Sequence, residues 1–217
     1  MTRVAKRAPK KPAGDGPPVP GKPPVYDKDK RNRRFWLVKS EPMPRVDAKT
    51  GKTVKFSIYD LAQVPAEPWD GVRNYEARNY LIQMAKDDVC LFYHSNCKNP
   101  GIVGLCTVAS TAKPDRSQFD PQSPNYDPKA GPDQPRWWCP EMAFLCLLNR
   151  KLSLAELRES KGVEDLYLLK RGRLSVTPVS EKQFWRLMQL QEGPQGTDAE
   201  MDCPTQGLPR YSKNLLA

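Results

Sequence analysis

The run Trp69-Asp70-Gly71-Val72-Arg73-Asn74 places an indole, a glycine, a guanidinium and a carboxamide within six residues. Gly71 lets the backbone turn tightly or approach a ligand closely, and Asn74 is a good helix N-cap. An aromatic face beside free backbone N–H groups suits a flat polar ligand such as a nucleobase. On these residues alone, a buried tryptophan anchoring a helix start accounts for the run equally well. Catalytic chemistry finds less support. Ser40, Asp70, His94 and Ser95 are the residue types of a hydrolytic triad, but no Gly-x-Ser-x-Gly elbow surrounds either serine. No Cys/Cys/His set is spaced to activate water for base deamination, and no Gly-rich loop is built to cradle phosphate. His94 and Cys97 could form half a metal site, but no second pair completes it. The chain is therefore expected to be a non-enzymatic binder with no cofactor and no metal.

These residues need a scaffold, and the chain punctuates one clearly. Phe35 to Ser40 reads as a first strand, stopped by Pro42 and Pro44. Asp47 to Lys52 reads as a short surface turn. Ser57 with Asp60 three residues on opens a short helix, and Asn74 to Ala85 reads as a second. Val89 to Ser95 and Ile102 to Ala109 are strands joined by a Pro-Gly turn. In the first, Val89, Leu91 and Tyr93 alternate with Cys90, Phe92 and His94, so both faces are largely apolar, as in a covered sheet or barrel. Thr111 to Arg136 is long, polar and Pro-rich, a length that points to function or disorder. Trp137 to Leu148 resumes as a strand, with Pro140 at an edge or bulge. Ser153 with Glu156, and Ser180 with Gln183, are capping boxes opening helices, and Arg173 to Val176 is a short strand between them. Strands in the middle with short inserted helices argue for an α+β domain on a curved sheet or barrel.

Charge separates a tail from this domain. The 217-residue chain carries a formal charge of +10. Residues 1–34 hold eleven basic residues against three aspartates, so most of the excess lies there. Seven prolines and a single aromatic leave that segment unable to offset its conformational entropy by burial, so disorder is expected. Lys6, Arg7, Lys10 and Lys11 form a basic cluster of the nuclear-import or nucleic-acid-binding type. The tail lacks the apolar core of a secretory signal, and no apolar run is long enough to span a membrane. The six cysteines, most in apolar contexts, fit reduced core thiols. Residues 193–217, polar and broken by Gly and Pro, read as a flexible C-terminal tail. The expected order is therefore a basic tail over 1–34, a folded domain over 35–192 and a second tail over 193–217.

The order of motifs adds a resemblance. Trp36-Leu37-Val38-Lys39-Ser40-Glu41-Pro42, then Trp69 to Asn79, Phe92-Tyr93-His94-Ser95-Asn96, Gly101-Ile102-Val103-Gly104 and Arg173-Leu174-Ser175-Val176 together resemble the EVE domain from about Phe35 to Glu192. That likeness implies a PUA-like pseudo-β-barrel with short flanking helices. It also implies a pocket for a modified nucleobase, with modified cytosine in DNA (5-methyl or an oxidised form such as 5-hydroxymethyl) as the leading ligand class. A base read all round must be flipped out of the duplex, and aromatic contact offsets the lost stacking. Trp69 is the first candidate for that contact, with Tyr93, Tyr126 and Trp137 as further walls. Ser40, Asn74, His94 and Ser95 carry donors and acceptors suited to a Watson–Crick edge. Lys39, Arg73 and Arg173 are placed by motif to meet phosphate or the base carbonyl, with Gly71 and Val72 completing the turn beside them. Tyr93 fits a core position equally well, and Arg173 an ion pair. The expected partner is nucleic acid, bound by a nuclear monomer with no membrane association. The alternatives are a reader of modified RNA, a protein-interaction scaffold or, least, an enzyme acting on a base.

Overall fold

All six residues of Val89–His94 are buried, which an alternating apolar strand achieves only when both faces of its sheet are covered. The computed structural model describes residues 33–192 and 207–216. The basic cluster at Lys6, Arg7, Lys10 and Lys11 lies outside the described residues, as does the first part of the C-terminal segment.

The elements run β1 (Phe35–Ser40), β2 (Arg45–Val46), β3 (Thr53–Val54), α1 (Ile58–Leu61), β4 (Glu67–Pro68), α2 (Tyr75–Gln83), β5 (Val89–His94), β6 (Gly101–Val108), β7 (Lys113–Pro114), β8 (Trp138–Cys139), β9 (Glu141–Ser153), α3 (Leu154–Glu159), α4 (Tyr167–Lys170), β10 (Val176–Val179) and α5 (Glu181–Leu190). Six strands form one sheet in the order β10-β1-β5-β6-β9-β4, while β2–β3 and β7–β8 make two small antiparallel pairs. Within the main sheet β1 and β5 run parallel and the other pairings are antiparallel. This is the expected α+β architecture, a mixed half-barrel with few helices. Among the described residues no helix is long and apolar enough to cross a membrane.

Two cores follow from the alternation. Leu37, Val89, Leu91 and Tyr93 point to a face covered by α3, α4 and α5 through Leu157, Leu168, Phe184 and Leu187. Trp36, Val38, Cys90 and Phe92 point to the other, covered by α1 and α2 through Ile58, Leu61, Ala77 and Leu81. Phe35 stacks on Phe184 with ring centroids 4.0 Å apart, a contact worth about 1 kcal/mol beyond its burial. Asp88, fully buried, accepts from the Trp36 indole at 2.9 Å, from the Ala85 amide at 3.0 Å and from the Arg34 amide at 3.1 Å. These bonds fasten the entry of β1 to the exit of α2.

Several boundaries move for physical reasons. Ser57 and Asp60 complete a reciprocal capping box, as do Ser180 and Gln183. At α3 only Ser153 caps, because the Glu156 carboxylate is held bidentately by Arg150 at 2.6 and 2.8 Å. Pro140 falls between β8 and β9 and divides the expected 137–148 strand, since proline donates nothing to a ladder. The strand expected at 173–176 lies at Val176–Val179 instead. Residues 207–216 do not hang loose. The Leu147 amide donates to the Pro209 carbonyl at 2.9 Å and the Tyr211 amide to the Leu147 carbonyl at 2.8 Å, which seats Tyr211 in the first core.

Candidate functional site

Because β1 and β5 are parallel, their carboxyl ends finish side by side, with Lys39 opposite Tyr93 and Ser40 opposite His94. The Ser95 amide and hydroxyl both donate to the Ser40 carbonyl, at 2.8 and 3.0 Å. The Ser40 hydroxyl donates to the Phe56 carbonyl at 2.6 Å. His94 is fully buried, and its Nε2 accepts from the Ile58 amide, the first of α1, at 3.1 Å. That nitrogen therefore carries no proton. Trp69 lies above these residues, 7% exposed. Its ring meets Phe92 at 5.5 Å and Phe56 at 6.1 Å, both edge to face, and its amide donates to the Pro140 carbonyl at 2.9 Å. Phe92 in turn lies 5.7 Å from His94, so Trp69 and His94 share one phenyl ring.

Beside Trp69 the turn is fastened by a residue from the long loop. The Asp115 carboxylate accepts from the Gly71 amide at 3.0 Å, from Arg73 Nη1 at 2.7 Å, and from the Ser117 amide and hydroxyl at 2.8 and 2.6 Å. Burial alone would raise the Asp115 carboxyl, but the bonds from Ser117, Arg73 and Gly71 hold it below the usual carboxylate value. Arg73 also donates to the Asn125 carbonyl at 2.7 Å and the Ser117 hydroxyl at 2.9 Å. Gly71 adopts a φ of +73°, and a Cβ there would lie 2.9 Å from the Asn125 side-chain nitrogen. The loop itself is ordered by Gln118, which is fully buried. Its amide donates to the Asp115 and Trp137 carbonyls at 2.7 and 2.9 Å, and its oxygen accepts from the Arg136 and Trp137 amides at 2.8 and 3.0 Å.

The structure thus brings Ser40, Trp69, His94 and Ser95 together and sets Gly71, Val72 and Arg73 along their edge. The remaining residues are placed differently. The Asn74 side-chain oxygen Oδ1 caps α2, accepting from the Glu76 and Ala77 amides at 2.9 and 3.1 Å. Tyr93 sits in the opposite core, 3% exposed. Lys39 turns to that side too, donating to the Gly172 carbonyl at 2.8 Å above the Tyr93 ring, and burial pulls its ammonium below the usual lysine value. Arg173 is exposed beside it. Trp137 is 5% exposed, stacked on Tyr75 at 4.8 Å, with its indole donating to Asp127 at 2.7 Å. Tyr126 is 39% exposed on the outer side of the long loop. Asp115, Ser117, Gln118, Asn125 and Phe56 complete the arrangement without having been singled out by their types. Asp115-Arg116-Ser117 did carry a usable signal, since an Asp two residues before a Ser caps its own turn. Among the described residues no group of three or more His, Cys, Asp or Glu could hold a metal ion.

The described residues form a mixed half-barrel with polar side chains gathered where two parallel strands end. The EVE domain model matches residues 34–190, and the chain belongs to the EVE domain family. It is 41% identical to mouse thymocyte nuclear protein 1 over 168 residues, covering 73% of this chain and 74% of that one. It is 36% identical over 174 residues to an uncharacterised protein of Schizosaccharomyces pombe, C21.03c, covering 77% and 72%. Among solved structures, human THYN1 in complex with 5-methylcytosine containing DNA superposes with a TM-score of 0.70 at 40% identity, over 73% of this chain and 98% of that chain. A protein from Pseudomonas syringae, PSPTO5229, superposes with a TM-score of 0.64 at 39% identity, over 72% and 99%.

Proposed function

We propose that this chain binds DNA in the nucleus as a monomer and selects a modified cytosine, flipped out of the helix toward Trp69. The observation that carries the reading is the 40% identity and shared fold with human THYN1, a protein solved with 5-methylcytosine containing DNA. The geometry supports it. Trp69 is held by Phe56 and Phe92 before any base arrives, so little side-chain freedom is lost on binding. At 7% exposure its ring is reached only as the adjoining turn yields. Gly71 and Val72 form that turn, and Arg73 ties it to the long loop. Ser40, His94 and Ser95 form a hydrogen-bonded polar layer next to Phe92, its atoms already partnered by Phe56, Ile58 and Ser40, and Lys39 and Arg173 stand at the same end of the sheet on its other face. The basic cluster at Lys6, Arg7, Lys10 and Lys11 supports nuclear import, as does the word nuclear in the name of the mouse relative. No bond is made or broken in this reading, and no cofactor is required.

The test is an equilibrium binding panel at one salt concentration. It compares plain, 5-methyl- and 5-hydroxymethylcytosine with plain and N6-methyladenine, each in DNA and in RNA. Wild type should prefer a modified cytosine in DNA, and Trp69→Ala should erase the preference, because base–aromatic stacking is worth roughly 1–3 kcal/mol. Trp69→Phe, which keeps a ring in the core, should retain part of it. A preference that survives Trp69→Ala, or no modified base bound better than its parent, would overturn the reading. Tighter binding of the RNA set would redirect it to RNA.

A further inference from the structure

A concavity lies on the outer side of the long loop, lined by none of the residues packed around Trp69. It is an open depression of about 430 Å³ between the β2–β3 hairpin and residues 121–126, lined by Lys49, Thr50, Lys52, Ser123 and Tyr126 among others. Its volume falls within the range of small-ligand sites. Its chemistry is uneven: two lysines stand on the hairpin side and an aromatic ring on the loop side. Lys49 donates to the Pro124 carbonyl at 3.2 Å and holds the two walls together. Lys52 is exposed and makes no ion pair among the described residues. The nearest carboxylate on the hairpin, Asp47, is occupied by the Lys49 and Thr50 amides and the Thr50 hydroxyl at 2.9 to 3.1 Å. Tyr126 keeps 39% of its surface in solvent. Its neighbour Asn125 accepts from Arg73 at 2.7 Å, so the wall of this depression and the turn after Trp69 are one connected piece.

We propose that the depression is a second contact point for the same nucleic-acid strand, with a base next to the flipped one stacked on Tyr126 and a neighbouring phosphate met by Lys52. Ammonium groups opposite an exposed aromatic ring are the arrangement that holds single nucleotides without regard to sequence. A cytosine turned out of the duplex, plain or modified, leaves unstacked neighbours that such a ring would take up alike, while the preference is set beside Trp69. The proposal rests on the reading that a base enters beside Trp69, and it moves Tyr126 from that pocket to this one.

The experiment measures binding of one duplex carrying a single 5-methylcytosine, and of its unmodified twin, across a salt series. The proteins are wild type, Lys52→Ala, Tyr126→Ala and Trp69→Ala, each checked for an unchanged circular dichroism spectrum. Lys52→Ala should weaken binding to both duplexes by the same factor, several-fold, and flatten the logarithmic salt slope by about one. Tyr126→Ala should weaken both by about fivefold or more. Neither should alter the ratio between the two duplexes. If both variants bind like wild type while Trp69→Ala loses the preference, the depression plays no part and the base-reading function stands. If both variants weaken binding but wild type shows no preference, the depression is a nucleic-acid contact and the base reading fails. A changed ratio in Tyr126→Ala would overturn the separation of the two sites.

Discussion

Arg73 meets Asp115 at 2.7 Å across 42 residues of sequence, and that pair fastens a long Pro-rich loop to the turn that follows Trp69. Asp115 is 2% exposed at its side chain and Arg73 22%. Removing one member of a fully buried pair costs about 3–5 kcal/mol. Solvent at Arg73 lowers that to about 2 kcal/mol for Asp115→Asn.

The same pair has a pH signature. The folded Asp115 carboxyl is held below its ordinary value of 3.8. Its stabilisation is therefore complete above that value and drains away as pH falls through the lower folded value. Melting temperatures of wild type and Asp115→Asn should differ at neutral pH and converge as the pH falls from 3.8 through the lower folded value. Parallel curves over the whole range would remove the charge from the explanation.

Two glycines are expected to respond unequally to alanine. At Gly104 in β6, a Cβ would run into the Ile58 side chain and lie 2.5 Å from the Cys146 carbonyl oxygen, which cannot withdraw. Gly104→Ala should cost about 3 kcal/mol in urea unfolding. At Gly71 the obstacle is the tip of Asn125, which can rotate, so what remains is the positive φ. Gly71→Ala should cost about 1 kcal/mol. Equal losses would mean that the strand and the turn yield alike.

The docked C-terminal residues should also be measurable. Tyr211 is 6% exposed, and Arg210 donates to the Leu148 and Asn149 carbonyls, both at 3.0 Å. Tyr211→Ala should cost about 2–3 kcal/mol, and ending the chain at residue 206 at least as much. A truncated protein that melts with wild type would make the docking incidental.

What the sequence made legible was set by local chemistry. Ser57, Asn74 and Ser180 announce helix starts because a cap needs only its next three residues. The alternation in Val89–His94 announces two buried faces for the same reason of period. The long loop was not legible. Its order depends on Gln118, whose four bonds run to residues up to 19 positions away, and no periodicity signals such a residue. Asn74 and Tyr93 show the converse. Each is a type that suits a base pocket, and each is taken by a helix cap or a core before a ligand could use it. Residues 207–216 looked like tail because their polar composition hides one well-buried tyrosine.

The parallel pairing of β1 with β5 has a consequence for how the protein comes into being. The Ser95 hydroxyl reaches the Ser40 carbonyl across 55 residues, and the Ile58 amide reaches His94 across 36. No short stretch of chain holds both halves of either contact, so the site has no local precursor. Its contacts form only when the two strands pair across the long crossover. A fragment from either half would carry the motif letters without the site. An insertion within the crossover, such as the β2–β3 hairpin, lengthens that closure only slightly, which leaves room for related chains to differ there while keeping the two strand ends together.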